Sequence, residues 1–304
     1  EGLRFRNKMA YDLIKGIDQM MGLRTQFVHL YVKDLTDSAS GVFEDYGLYT
    51  QVEQLNKTAL KAHGVDPNGQ LYKINSFEFY RYEDVIRLTT DPAYDQTAFE
   101  KHLEIKGNSD HSKLIKMLDV LNDESSSMDD ELFVTYFDKE NIAYWMAFQL
   151  LTGNTDTQNR NVYLYSPQNS SKWYLWDWDN DGMLRRRERE IINFSDSESW
   201  ERGVSNYWGN VLFRRCLQTQ SYRDMLDSAM KELYAYMNEE RIQSMMEHYR
   251  SVTEKYVWQM PDRMNVPITH DEYEEVLKSI WPEIDENYNY YWESYRKPMP
   301  FYIG

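Results

Sequence analysis

One stretch of the chain constrains its fold more than any other, residues 153–182, which read GNTDTQNRNVYLYSPQNSSKWYLWDWDNDG. Within it, Asn161 follows Asp156 by five positions, and an aromatic run then leads from Lys172 to a second carboxylate, Asp177. A loop with the first spacing can aim an aspartate and an asparagine at one reacting group, and a short hairpin can bring the second aspartate beside them. The stretch therefore predicts a polar loop, a hairpin and an acidic turn.

The same three groups occur in the same order in protein kinases. There an aspartate accepts the proton of the attacking hydroxyl, and an asparagine five residues later holds a metal ion. After a hairpin, a further aspartate holds the metal ions that bridge the nucleotide phosphates. Because aspartate and asparagine are common in loops of every kind, the triplet alone does not identify a kinase. The order of the surrounding strands strengthens the match.

The charge of the chain excludes one class of partner. Its 304 residues carry a net charge of -16. Binding to nucleic acid requires stripes of lysine and arginine that neutralise phosphates, whereas the one dense basic run here, Arg185 to Arg187, follows directly after the acidic turn. We therefore predict no nucleic-acid partner, and we expect the acidic surface to attract basic proteins or cations.

Cysteine content and hydropathy exclude further classes. Cys216 is the only cysteine, so the chain can form neither an internal disulfide nor a cysteine-based zinc site. No apolar run approaches the ~18 residues of a membrane-spanning helix, and no signal peptide is visible. The chain begins at Glu1 rather than at methionine, and we therefore expect a processed or cut chain from which an export signal could have been removed.

Periodicity predicts both helices and strands in the N-terminal half. Apolar residues recur at helical spacing over residues 5–21. Alternating patterns at residues 27–32 and 47–53 predict two antiparallel strands joined by a polar turn. A short strand is predicted at residues 71–74, and helical patterning returns over residues 97–105. The order helix, strand, strand is that of a kinase's smaller lobe after its nucleotide-binding lysine strand.

The C-terminal part is predicted to be mainly helical. Asp138 can cap a helix that ends at Gly153, and such a helix would give the Asp156 loop a rigid base. Helical patterning covers residues 210–259. A last helix is predicted over residues 271–281, followed by an aromatic, acidic tail. The sequence contains no internal repeat and no evident domain linker, which favours a single domain.

Several blocks of the chain resemble the CotH-type family of spore-coat kinases. The run RNKMAYDL at residues 6–13 resembles that family's R-N-K-x-A-Y-D-L helix, and GLYTQVE at residues 47–53 resembles its G-L-Y-x-x-V-E strand. The run QLYK at residues 70–73 resembles its N-L-Y-K turn. Residues 154–165 and 176–179 resemble its N-x-D-x4-N and P-W-D-x-D segments. The blocks occur in the family's order.

This resemblance implies an α+β, two-lobed protein-kinase-like fold in one domain, residues 1–304. A truncated antiparallel sheet would form the smaller lobe, over about residues 1–75, and a mainly helical larger lobe would cover about residues 76–304. The resemblance also implies ATP-dependent phosphorylation of serine or threonine in a protein substrate, with Mg or Mn as the metal. It implies an extracytoplasmic location, at a bacterial surface, in secretion or in a spore coat. It predicts no oligomeric state.

The resemblance further implies roles for the residues of the central stretch. Asp156 would be the catalytic aspartate. Asn161 and Asp177 would hold the metal, with Asp179 beside them.

Two more residues are implied at the cofactor-binding site. Glu53 would lie in the strand that leads to the hinge, near the adenine, and Lys73 matches a family position to which the sequence assigns no role. Members of the family usually carry strands before the R-N-K helix, with a phosphate-covering loop and a lysine for the nucleotide phosphates. This chain opens at that helix, and we expect activity to depend on the missing cationic partner.

A second interpretation of the acidic turn stays open. Asp177, Asp179, Asp181 and Gly182, followed by Glu188, fit the EF-hand calcium-loop pattern. Alternate carboxylates can surround one hard cation, and the final glutamate could add two oxygens. An EF-hand needs a helix before this loop, whereas the preceding segment is predicted as a strand. The alternative function is therefore a non-catalytic surface-binding or structural module with a calcium loop, and a solvated turn without a ligand is the third interpretation.

Overall fold

A computed structural model of the chain describes residues 2–36, 41–193 and 202–295. About half of these residues are helical, and the described strands form two small antiparallel sheets, so the fold is a mixed α/β one.

The described elements follow one another along the chain with these bounds. The α-helices are α1 (Arg6–Ile14), α2 (Lys57–Ala62), α3 (Gln96–Glu100), α4 (Ser112–Asn122), α5 (Lys139–Thr152), α6 (Arg186–Ile191), α7 (Val211–Gln218), α8 (Gln220–Tyr236), α9 (Glu239–Val257) and α10 (His270–Tyr295). The strands are β1 (Thr25–Lys33), β2 (Phe43–Val52), β3 (Gln70–Ile74), β4 (Leu103–Ile105), β5 (Val162–Ser166) and β6 (Tyr174–Asp177). A π-helix covers Met128–Tyr136, and 3-10 turns cover Gly203–Tyr207 and Asp262–Asn265.

The described strands form two separate sheets. β1 and β2 form a hairpin of their own, which confirms the predicted pair of strands. The other sheet has the order β4-β3-β5-β6. Since side chains alternate across a strand, Val162 and Leu164 of β5 join the main core, whereas Tyr163 and Tyr165 join a second cluster that includes Leu60 of α2. The four-stranded sheet is thus buried on both faces.

Helix α5 gives the candidate site its base, as predicted. The Asp138 side chain accepts a hydrogen bond from the backbone N–H of Asn141 and caps the helix. Gly153 ends it in the left-handed conformation, with φ of 60°, which side chains with a β-carbon rarely adopt. Trp145 and most other residues of α5 are buried on every side. The loop that follows therefore starts from a fixed point.

The predicted elements differ from the structure at three places. Helix α1 ends at Ile14 rather than at residue 21, because the chain tightens there: the Gly16 N–H bonds to the carbonyl of Leu13. The segment predicted as helical over residues 97–105 divides into α3 and β4. Pairing of β4 with the edge of β3 outweighs the local helical pattern.

The third difference lies at the C-terminal end. The tail predicted from Asp285 onward belongs to α10 as far as Tyr295, and this helix runs through Pro282. A proline inside a helix removes one hydrogen bond. Burial of Ile284 and Tyr291 against the rest of the helical core offsets that loss.

No helix in the described part of the chain combines the length and the apolar character that a membrane-spanning segment requires.

Candidate functional site

The loop between α5 and β5 brings Asp156 and Asn161 together. Asp156 is partly exposed and accepts hydrogen bonds from Arg160 Nε, at 2.5 Å, and from Asn161 Nδ2, at 3.2 Å. Burial raises the pKa of Asp156, although the hydrogen bond from Arg160 acts in the opposite direction. Asn161 has φ of 58°, a left-handed conformation that asparagine tolerates better than most residues. The predicted pair is therefore in direct contact.

Side chains from a later segment hold the backbone of this loop. Asn206 and Asn210 each donate from Nδ2 to a loop carbonyl at 2.8 Å. The hydroxyls of Thr157 and Tyr207 lie 2.7 Å apart and are both buried. The spacing of the sequence did not predict these supports. The available signal was Asn210, which is also the N-cap of the amphipathic helix α7.

Asp177 lies at the end of β6 as a buried carboxylate without a cation. It is 1% exposed, and its two oxygens accept hydrogen bonds from Gln149 Nε2, at 2.7 Å, and from Asn180 Nδ2. Among the described residues, no lysine or arginine forms an ion pair with it. Burial raises the pKa of Asp177 to about 7, even though both hydrogen bonds favour the charged form. Such a group is stable as an anion only when a positive charge is supplied.

Three more carboxylates lie near one another in this region. Burial raises the pKa of Asp179, and the nearby charges of Asp181 and Asp156 raise it further. The charge of Lys73 acts in the opposite direction. Asp156, Asp179 and Asp181 are thus close enough to repel one another, which concentrates negative charge beside Asp177.

Helix α1 holds the acidic turn by its backbone. The N–H of Asp179 donates to the hydroxyl of Tyr11 at 3.0 Å, and the N–H of Asn180 donates to Asn7 Oδ1 at 3.1 Å. Asp179 has φ of 59°, so the turn adopts a conformation that needs such support. Helix α1, which contains the R-N-K motif, therefore supports the backbone of the acidic turn. The sequence did not predict this contact.

Glu188, at the far end of the turn, is engaged elsewhere. Its fully buried carboxylate lies 2.5 Å from Arg6 Nη1 and 3.2 Å from Arg185 Nη2, and it accepts a hydrogen bond from the N–H of Gly2. Burial alone would raise the pKa of Glu188, but Arg6 and Arg185 lower it to about 2. Two arginines already pair with this carboxylate, which contradicts the expectation that Glu188 completes a calcium loop. The strand before Asp177 also removes the entering helix of an EF-hand.

Lys73 lies next to the acidic turn. It belongs to β3, and its Nζ is 5.4 Å from the ring centroid of Trp178, the residue between Asp177 and Asp179. The structure therefore brings the predicted Lys73 close to the predicted metal ligands.

Glu53 has a different environment. It follows β2, forms an ion pair with Arg24 and lies 2.7 Å from Nε2 of His63. Burial raises its pKa, but the hydrogen bonds from Arg24 and His63 outweigh burial and lower the pKa to about 2. The His63 ring packs edge-on against Trp176, which precedes Asp177. Among the described residues, no contact joins Glu53 directly to the acidic turn.

The oxygen atoms of the turn fit a hard divalent cation. Asp177, Asp179 and Asn161 offer the oxygen ligands that Mg, Mn and Ca prefer. Each oxygen of Asp177 accepts one hydrogen bond and retains a lone pair. Asn154 is 2% exposed, and its Oδ1 has no hydrogen-bond partner in the described part of the chain. A buried acceptor without a donor, next to Gln149 and Asn180, also suits a nearby cation.

A second group of side chains has ligand atoms close enough to one another to hold a metal. Glu254, His270 and Glu274 each offer one ligand atom, and these atoms lie within 4.8 Å of one another. Arg250 already forms hydrogen bonds to both glutamates. Both carboxylates are therefore already paired with one guanidinium, which distinguishes this group from the acidic turn.

Comparison with known proteins agrees with the blocks described above. No curated protein sequence matches this chain significantly. The profile of a family described as CotH kinase protein matches residues 1–291, which include α1, the Asp156 loop and the acidic turn. The chain therefore belongs to the CotH kinase protein family.

Proposed function

We propose that this chain transfers the γ-phosphate of ATP to a serine or threonine hydroxyl of a protein substrate, using Mg or Mn. One observation carries the proposal: Asp177 is a buried carboxylate with which no described lysine or arginine pairs, and Asp179 beside it is close to two further carboxylates. Buried charges are paired or coordinate metals. Membership of a kinase family makes a metal-bound nucleotide the most suitable source of that charge.

Each residue of the site has a part in this reaction. Asp156 orients the acceptor hydroxyl and takes up its proton while the hydroxyl oxygen attacks the γ-phosphorus. The bond between that phosphorus and the oxygen it shares with the β-phosphate breaks in line, and ADP leaves. Asp177 and Asn161 would hold the metal, with Asp179 beside them. The metal would supply charge neutralisation for the phosphates.

We also propose a two-lobed architecture, a position for the adenine, a basic substrate and a cellular location. The hairpin β1–β2 and helix α1, within about residues 1–75, would correspond to the smaller lobe of a kinase-like arrangement, and about residues 76–304 to the larger lobe. Glu53, at the end of β2, would lie near the adenine. A net charge of -16 favours basic protein substrates. We also propose an extracytoplasmic location, for which the family resemblance is the only support.

Thermal melts test whether the acidic turn binds a metal nucleotide. Wild type, Asp177→Asn and Asp84→Asn are each melted with Ca, with Mn, and with Mn plus ATP. The Asp84 side chain is fully exposed, so its variant is a matched control. A ligand at a hundred times its dissociation constant adds about 2.7 kcal/mol of stability. We expect this gain from Mn plus ATP in wild type and Asp84→Asn, and none in Asp177→Asn. Full stabilisation by Ca alone, with no addition from ATP, would instead favour the non-catalytic calcium module.

Phosphoryl transfer is then measured with ATP labelled at the γ-phosphate and a basic, serine-rich protein as acceptor. Asp156→Asn should lower the rate by about 100- to 10,000-fold, because general-base catalysis contributes that much, and should leave binding of Mn plus ATP intact. An unchanged rate in Asp156→Asn would show that Asp156 is not the base.

A further inference from the structure

Lys73 occupies a fixed position at the acidic turn. It lies opposite Tyr163 in the β3–β5 pairing, and β5 begins directly after Asn161. The Tyr163 ring packs edge-on against Trp178, with ring centroids 5.4 Å apart, and Lys73 Nζ lies 5.4 Å from the same Trp178 ring. Strand pairing and two aromatic rings therefore hold the ammonium group close to Asp179.

Lys73 also differs from its neighbours in charge pairing. Arg160, another cation of this region, is bonded to Asp156. Among the described residues, no carboxylate lies within ion-pair distance of Lys73 Nζ, and no hydrogen bond engages it. Its charge nevertheless acts on Asp179. Lys73 is thus a cation at the site whose three N–H donors are available to a ligand.

We propose that Lys73 binds the γ-phosphate of ATP and stabilises the negative charge on that group during transfer. This inference rests on the proposed kinase function. The transferred group must lie within reach of Asp156, and Lys73 lies on the strand next to the one that follows the Asp156 loop. A compact ammonium group suits a phosphate oxygen as a point charge. Lys73 therefore distinguishes ATP from ADP, which lacks the group that it binds.

Calorimetric binding of ATP and ADP in the presence of Mn tests this role. The proteins are wild type, Lys73→Met, Lys73→Arg and Lys116→Met, since Lys116 is an exposed lysine on α4 and serves as the control. A hydrogen bond to a charged group corresponds to about a 10- to 100-fold change in affinity. We expect Lys73→Met to lose that much ATP affinity and to bind ADP as wild type does. Lys73→Arg keeps most of the preference for ATP, and Lys116→Met changes neither affinity.

The outcomes separate the two proposals. Suppose that wild type binds both nucleotides. If Lys73→Met then keeps the full preference for ATP, or loses ATP affinity and ADP affinity equally, the proposed role of Lys73 is wrong. The proposed kinase function is not affected by that result. If folded wild type binds neither nucleotide, both proposals fail. Should Lys73→Met fold poorly, Lys73→Gln provides the same comparison with a polar side chain of similar length.

Discussion

The segment from Asp177 to Glu188 starts with the acidic turn and has a buried carboxylate at each end. The two carboxylates have opposite environments. Glu188 is fully buried between two arginines, and its pKa is lowered to about 2. Asp177 is 1% exposed, accepts hydrogen bonds from two side-chain amides, and has its pKa raised to about 7. A carboxylate whose cations belong to the fold stabilises the fold. Under the proposed function, a carboxylate without them receives its cation from outside.

The largest expected effect comes from removing the cation at the Glu188 end. Arg6→Met leaves Glu188 buried beside a single arginine, and breaking a buried pair costs about 3–5 kcal/mol. We expect the free energy of unfolding, measured in urea, to fall by that amount. Lys15→Met is the control, because the exposed Lys15 pair with Asp12 contributes at most about 1 kcal/mol. A loss below about 1 kcal/mol in Arg6→Met would remove the contrast between the two ends.

At the Asp177 end, removing the charge should increase the free energy of unfolding instead of lowering it. The raised pKa of Asp177 means that the metal-free protein loses stability as the pH rises from about 4, the usual aspartate value, to about 7. Asp177→Asn lacks this charge, so we expect it to be more stable than wild type at pH 8 by about 1–3 kcal/mol. The gain should disappear at pH 4. Urea unfolding in the presence of a chelator measures it, and a variant that is less stable at pH 8 would contradict the assignment.

The smallest effect concerns the helix that holds the turn. Asn7→Ala and Tyr11→Phe each remove one hydrogen bond to the turn's backbone, which corresponds to about 1 kcal/mol. We also expect weaker Mn binding, because the turn is less well fixed. Tyr249→Phe removes a hydrogen bond to Asp12 on the same helix without touching the turn. It should cost similar stability and leave Mn affinity unchanged. Equal Mn affinities in all three variants would show that α1 does not position the metal ligands.

Local signals predicted the base of the site well. The cap at Asp138 and the stop at Gly153 are decided by short-range backbone hydrogen bonds and by φ, so the sequence reveals them. The contact between Asp156 and Asn161 spans only five residues. Because this contact is local in the sequence, the spacing of the two residues was enough to predict it.

Tertiary partners explain what the sequence did not predict. Arg6 and Glu188 are 182 residues apart. A spacing pattern that places Glu188 in a calcium loop therefore contains no information about the cation that occupies it. Similarly, Pro282 predicts the end of a helix, whereas α10 continues because its buried residues pack against distant elements.

The dependence of the acidic turn on α1 has a kinetic consequence. The backbone partners of the turn are 168 and 173 residues away from it in the chain. Contacts across such separations form slowly, because closing a long loop costs entropy before the contact is made. At a synthesis rate of about 5–20 residues per second, α1 emerges roughly 10–30 s before the turn that it supports. An incomplete chain thus has no ordered acidic turn, and the metal that we propose for this turn could bind only after α1 and the turn have come together.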